Sequence, residues 1–233
     1  MICCLLLVLT VLAIPGSDPG CQDPYRAARE AMVDVISQYG VRDSATLDAM
    51  RSVPRHEFVP EGNRRRAYED YPLPIEEGQT ISQPYIVAFM TEVLGVRPGM
   101  KVLEVGTGSG YQAAVLAEIG AHVFTIEIFE ALANSARTRL RRLGYHDVSV
   151  RHGDGYLGWE EEAPFDAVIV TAAPDHIPRA LTEQLRNGGR LVIPVGSQAG
   201  IQTLTLVEKG PDGTLSSRRL LAVRFVPLLR LPR

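Results

Sequence analysis

Cysteine disappears from this sequence after residue 21. Cys3, Cys4 and Cys21 are the only three in 233 residues, so the body of the chain can form neither a disulfide nor a thiolate metal site. Histidine is scarce as well. The five, His56, His122, His146, His152 and His176, include no pair at HxxxH spacing, so no metal is expected. Positive charge is not in excess. The formal net charge is −3, which gives no global field toward nucleic acid, and none is expected as a partner. The clusters Arg64-Arg65-Arg66 and Arg141-Arg142 read as solvated faces. Internal repeats and low-complexity segments are missing too. So is a long apolar run: Met1–Ile14, closed by Pro15 and Gly16, falls short of the roughly 20 residues a spanning helix needs.

That first stretch resembles the core of a signal peptide, although no Lys or Arg precedes it. Cys21 invites a lipoprotein reading, but "SDPGC" lacks the aliphatic residue such a site wants. A translation start further downstream is the third possibility. Residues 1–22 are therefore set aside, and 23–233 are read as one domain, a length that can bury a sizeable core.

From Tyr25 the pattern turns helical, with Ala28, Met32, Val35, Ile36 and Tyr39 on one face and Gly40 as the stop. "DSATLDAMRSVP" predicts a short second helix with Asp43 or Ser44 as N-cap. A proline-rich, loop-like stretch follows. "PYIVAFMTEVLGV" then predicts a helix with Pro84 in its first turn and Ile86, Val87, Met90, Val93 and Leu94 on its apolar face.

Beyond it the chain alternates. Strands are predicted at 101–105, 122–126, 148–152, 166–171 and 190–195, with helices over 111–119, 129–143 and 178–185. Two more strands, 202–209 and 220–228, are joined through the turn sequence Pro-Asp-Gly. The expected fold is α/β: a doubly wound, mostly parallel, seven-stranded Rossmann-like sheet with N-terminal helices and an antiparallel C-terminal element.

The stretch from Val102 to Glu130, "VLEVGTGSGYQAAVLAEIGAHVFTIEIFE", carries the most chemistry. A strand runs into Gly106, Gly108 and Gly110 and then a helix, where an open α/β sheet binds its ligand. After the next strand stands Glu127, placed to accept from ribose hydroxyls. A dinucleotide wants G-x-G-x-x-G, but here the third glycine falls one position early and Tyr111 takes its place. Glu104, just ahead of the glycines, would repel a pyrophosphate and suits a cationic ligand. S-adenosyl-L-methionine, with a sulfonium, an ammonium and no phosphate, is the expected cofactor. Asp154 in "GDGY" follows the third strand; it can accept from an adenine amine or simply belong to the turn with Gly155.

Upstream lies "EGQTISQPY", Glu77 to Tyr85, too polar for core. With it, "VLEVGTGSGYQAAVLA", "GDGYLGW", "FDAVIVTAAP" and "GGRLVIPVG" follow in order, and from about Tyr25 to the end the chain resembles the protein-L-isoaspartate O-methyltransferase family. The resemblance implies a Rossmann-like methyltransferase. Its acceptor would be the free α-carboxyl group of L-isoaspartyl residues in damaged proteins and peptides, and the ester would close to a succinimide and so begin repair. Carried over by position, Ser82 matches the active-site serine and Thr80 is the adjacent hydroxyl. Gly106, Glu127, Asp154 and the segment Gln83–Ile86, with Pro84, match cofactor-binding positions. Thr171, Ala172, Ala173 and Pro174 match a substrate-backbone edge. Such enzymes are cytoplasmic, where the cofactor is made, whereas the apolar N-terminus points to export; a monomer is expected.

The nucleophile implied is a carboxylate, already ionised at neutral pH, so no strong general base is needed. Neutral hydroxyls at Ser82 and Thr80 could orient it in line with the methyl group. The other reading of Ser82 is a helix N-cap for the segment from Pro84. Two other functions fit the fold. One is methylation of RNA or a small molecule, disfavoured by "TAAPDH" where an Asn/Asp-Pro-Pro-Tyr/Phe motif would stand. The other is a non-catalytic cofactor-binding module, disfavoured by the intact "TISQP".

Overall fold

The computed structural model describes residues 23–197 and 200–231. The signal-like segment 1–22 lies outside the described residues. Helices α1 (Arg26–Gln38) and α2 (Ser44–Ser52) come first. Asp43 caps α2 by accepting from the Thr46 backbone N–H at 3.0 Å. The buried face of α1 is Met32, Val33 and Ile36, while Ala28 and Tyr39 are exposed. The expected stripe was thus rotated by one position, because Val33 and Ile36 sit three apart on the side that meets α2 and α3.

The proline-rich stretch is more ordered than its composition suggests. It holds 3-10 turns at Arg55–Phe58 and Glu61–Arg66 and a minimal hairpin, β1 (Leu73–Pro74) against β2 (Thr80–Ile81). Helix α3 (Pro84–Leu94) starts with its proline in the first turn and ends on left-handed Gly95.

The main sheet contains β3 (Lys101–Val105), β4 (His122–Glu127), β5 (Val148–His152), β6 (Phe165–Val170), β7 (Leu185–Val195), β8 (Gln202–Lys209) and β9 (Leu215–Val223), in the order β5-β4-β3-β6-β7-β8-β9. Pairings are parallel from β5 to β7 and antiparallel for β8 and β9. Helices α4 (Tyr111–Glu118), α5 (Glu130–Arg142) and α6 (Arg179–Glu183) fill the crossovers. Side-chain alternation splits the core in two. Val102, Ala167 and Ile169 join the cluster under α1–α4, while Leu103, Val105, Val168 and Val170 face the other side.

Two expectations shift. Helix α6 is shorter than 178–185, because β7 begins at Leu185 and reaches its regular register only after an irregularity opposite Phe165 and Ala167. The last strand runs 215–223, not 220–228. Its partner β8 begins at Gln202, paired with Val223, so no ladder remains for later residues. These turn back over the sheet, and Pro227 forms an isolated bridge with Ala173.

Candidate active site

Strand order reverses at β3, between β4 and β6. A cavity opens at this switch point, beyond the carboxyl ends of the strands. Its floor is the loop from Gly106 to Ser109. Gly106 has φ +100, and a Cβ there would lie 2.4 Å from the Thr171 Oγ1, so only glycine fits. Thr171 in turn donates to the Gly106 carbonyl at 2.6 Å. Gly110 has a different task. It is the left-handed N-cap of α4, packed on Leu140, and it does not line the cavity.

Two carboxylates look into this space. Glu127 accepts from the backbone N–H of Gly108 at 2.7 Å and of Phe129 at 3.1 Å, one on each oxygen. Each oxygen keeps a lone pair for a ligand. Glu104 is fully buried, and neither of its oxygens has a partner. Burial and the neighbouring Glu127 charge push its pKa up to about 8. An orphaned buried acid aimed into a cavity is costly unless a ligand supplies the donor. Apolar Ile126, Ile128, Phe129 and Leu228 complete the wall, and among the described residues no Lys or Arg lines it. The donor set suits a nucleoside with a diol and a cation, not one with phosphates.

A second cavity adjoins the first. Thr80, Ser82, Thr171 and Val226 line both, so three side-chain hydroxyls stand at the junction. The Ser82 and Thr80 hydroxyls make no hydrogen bond to other described residues. Gln83 is the N-cap residue of α3, without a side-chain cap bond; Ser82 is not the cap. Asp70 secures this segment, accepting from the Gln83 side chain at 2.7 Å and from the Tyr85 backbone N–H at 2.9 Å. The remaining walls of the second cavity include Ile86, Phe225 and Ile201, and among the described residues Arg224 is its single charged one.

Other expected positions fall differently. Gln83 and Ile86 line the second cavity, not the first, because α3 starts at Pro84 and turns them away; Pro84 itself is buried in the helix start. Asp154 stands one residue behind the wall, accepting from the Tyr156 N–H at 2.9 Å, while Gly155 lines the cavity. Ala172 lines the first cavity, but the edge at Ala173 is already filled. Its N–H donates to Val226 at 2.8 Å, and its carbonyl accepts from Leu228 at 2.9 Å. The Pro174 carbonyl accepts from Gly196 at 3.1 Å. The C-terminal segment thus occupies two backbone positions expected to meet substrate. Sequence reasoning missed Asp70 and this segment, Val226–Leu229, which walls the first cavity. Its Pro227, in a run read as a strand interior, was the available signal.

A doubly wound sheet that takes a phosphate-free nucleoside at its switch point is the architecture of the S-adenosylmethionine-dependent methyltransferases, and this chain has that architecture. Sequence comparison narrows the class. The family profile described as protein-L-isoaspartate(D-aspartate) O-methyltransferase matches residues 27–231. Protein-L-isoaspartate O-methyltransferase 2 of Syntrophobacter fumaroxidans is 53% identical over 234 residues, covering 96% of this chain and 95% of its own. The Opitutus terrae protein-L-isoaspartate O-methyltransferase is 53% identical, covering 97% of each chain. A solved protein-L-isoaspartate O-methyltransferase superposes with TM-score 0.77 at 34% identity, covering 85% of this chain and 65% of that longer one. One from Plasmodium falciparum, in complex with S-adenosyl-L-homocysteine, gives 0.76 at 26% identity, covering 87% and 99%. The chain belongs to the protein-L-isoaspartate O-methyltransferase family.

Proposed function

We propose that this protein methylates the free α-carboxylate of L-isoaspartyl residues in damaged proteins and peptides, with S-adenosyl-L-methionine as donor. The observation that carries the reading is the junction of hydroxyls between an acid-lined nucleoside cavity and an acceptor cavity that, among the described residues, carries no acidic group. The cofactor supplies a methyl group activated on a sulfonium. Glu104 and the apolar wall would hold its cationic and adenine ends, and Glu127 would accept from its ribose. Gly106 and Gly108 let the backbone come close. Asp154 shapes the turn that presents Gly155. Thr171 and Ala172 border the path of transfer.

On the acceptor side Ser82 and Thr80 donate to the incoming carboxylate and aim one oxygen at the methyl carbon. No proton is removed, because the nucleophile is already an anion. A neutral donor orients it without the deep ground-state stabilisation a facing cation would bring. Arg224, an exposed residue, lines the acceptor cavity and attracts an anionic peptide toward it. Catalysis here is alignment and exclusion of water. Methoxide leaves an ester far more readily than oxide leaves a carboxylate, so attack on the ester carbonyl by the following backbone nitrogen, which gives up its proton as methanol departs, closes a succinimide without further help.

Paired peptides test this. A peptide with L-isoaspartate should be methylated and its L-aspartate twin should not, because the side-chain linkage displaces the carboxylate by a methylene. Equal labelling of the two would reject the acceptor. The catalytic unit is residues 23–233 as one monomeric domain. Its site of action is the cytoplasm, where the methyl donor is made. Among the described residues no helix is long and apolar enough to cross a membrane.

A further inference from the structure

Arg55 is the largest fully buried side chain among the described residues, with no exposed surface. It opens the 3-10 turn that follows Pro54. Among the described residues its guanidinium forms no ion pair with a carboxylate; it holds two backbone carbonyls instead. Nε donates to Ala67 at 2.7 Å, and one terminal nitrogen, Nη2, donates to Ser82 at 2.7 Å. The other terminal nitrogen, Nη1, has no partner. The guanidinium carbon, Cζ, lies over the Tyr111 ring, 4.7 Å from its centroid. That ring is also braced by Phe58, at 5.5 Å, and it lines the nucleoside cavity.

This arrangement is poor value as a stabilising device. A buried charge with one donor unsatisfied is weak evidence for stability, and an apolar side chain of similar size is often at least as good. What the guanidinium does provide is geometry. Its planar fork fixes donors in a set direction. One arm fixes the Ser82 carbonyl, and with it the peptide plane between Ser82 and Gln83. Asp70 pins the next two residues from the other side. The Ser82 hydroxyl is then aimed at the junction of the cavities without any hydrogen bond of its own.

We propose that Arg55 is a positioning residue: it sets the Ser82 hydroxyl for the acceptor carboxylate and ties that setting to Tyr111 in the wall of the nucleoside cavity. The proposal rests on the role of Ser82 given above. It leaves Arg55 out of contact with both substrates. Arg55 acts on the transfer step and on acceptor use. It contributes little to holding the cofactor, since Tyr111 is also braced by Phe58 and Met50.

A double-mutant cycle tests it, using the full chain and an isoaspartyl peptide. Arg55→Lys keeps the charge but can serve only one carbonyl well. It should lower kcat by about a hundredfold, the order lost when a reacting group shifts by about 1 Å. The dissociation constant for S-adenosyl-L-homocysteine, measured by calorimetry, should move less than about threefold. Ser82→Ala should lower kcat to a similar degree, and the double variant should be little worse than either single, as residues acting through one group are non-additive. Val53→Ala, a buried position that lines neither cavity, controls for lost stability and should keep kcat at matched temperature below melting.

Losses that simply multiply would overturn the proposal while leaving the Ser82 role standing. A fully active Ser82→Ala enzyme would reject the Ser82 role and this proposal with it. If Arg55→Lys unfolds, Arg55→Gln, which retains a donor toward Ser82, takes its place in the cycle. Should both fail to fold while Val53→Ala folds, Arg55 is structural and the proposal fails.

Discussion

Glu104→Gln tests the cofactor side of the site most severely, because stability and binding should move in opposite directions. Glu104 is fully buried and, among the described residues, unpartnered, and burial holds its pKa near 8 against an ordinary value of 4.5. Below pH 4.5 the carboxyl is protonated in both the folded and the unfolded chain and makes no difference. Between 4.5 and 8 the unfolded chain releases the proton while the folded site keeps it. Each pH unit in that window then removes about 1.4 kcal/mol of stability. Above pH 8 the loss is complete and constant. Gln has no proton to keep. The variant should therefore melt close to the parent at pH 4.5 and roughly 5–10 °C higher at pH 8, a figure reduced from the full linkage because water enters an open cavity.

Binding runs the other way. A cationic ligand favours the carboxylate, so the parent should bind more tightly as pH rises toward 8 and release a proton on binding below it. The variant should lose a charge-assisted hydrogen bond worth about 1.5–3 kcal/mol, roughly 10- to 150-fold in affinity, and should show a flat pH profile. Calorimetry in two buffers of different ionisation enthalpy reads both quantities. S-adenosyl-L-homocysteine has the ammonium without the sulfonium. Equal losses for it and for S-adenosyl-L-methionine would place Glu104 at the ammonium; a loss confined to the latter would place it at the sulfonium. A variant with unchanged affinity and an unchanged melting profile from pH 5 to 8 would refute the reasoning.

Gly106→Ala should weaken S-adenosyl-L-homocysteine at least about tenfold by calorimetry, since a side chain at positive φ is strained by roughly 1–2 kcal/mol and here also meets Thr171. Retained affinity would mean that the loop can shift. A chain beginning at Asp23 should keep full activity on the isoaspartyl peptide and melt within about 2 °C of the whole chain, as changes outside a packed fold usually do. A larger drop would place residues 1–22 on the domain.

The sheet was legible because a buried parallel strand writes its burial into consecutive residues. "KVLEV" and "DAVIVT" leave no other element of that length, and β3 begins and ends where the pattern does. The last strand was misplaced for the converse reason. Leu215–Arg219 is polar because β9 is an edge strand, and an edge needs pairing on one side only. The apolar residues after Val223 are apolar because they cover the cavities. Glu104, Gly106 and Glu127 could be read from their places around one turn. Arg55 and Asp70 could not. They lie 27 and 12 residues before Ser82, and an arginine or aspartate in a polar stretch carries no local mark of the fold that buries or engages it.

The charge layout of the two cavities explains why hydroxyls, not a stronger group, stand between them. Among the described residues, the proposed cofactor side has two carboxylates and no Lys or Arg, and the proposed acceptor side one arginine and no carboxylate. A field pointing this way draws a cation into the first space and an anion into the second, so the reacting charges meet as opposites. A lysine in place of Ser82 would bind the acceptor carboxylate harder than the transition state, in which that charge is being neutralised, and would repel the sulfonium beside it. A carboxylate in the same place would repel the acceptor. Serine avoids both penalties, at the expense of a weak hold, which makes the direction of its hydroxyl decisive. On the role proposed for Ser82, this is what its backbone bond to the buried Arg55 and the bond of Tyr85 to Asp70 provide, while among the described residues the hydroxyl itself has no partner.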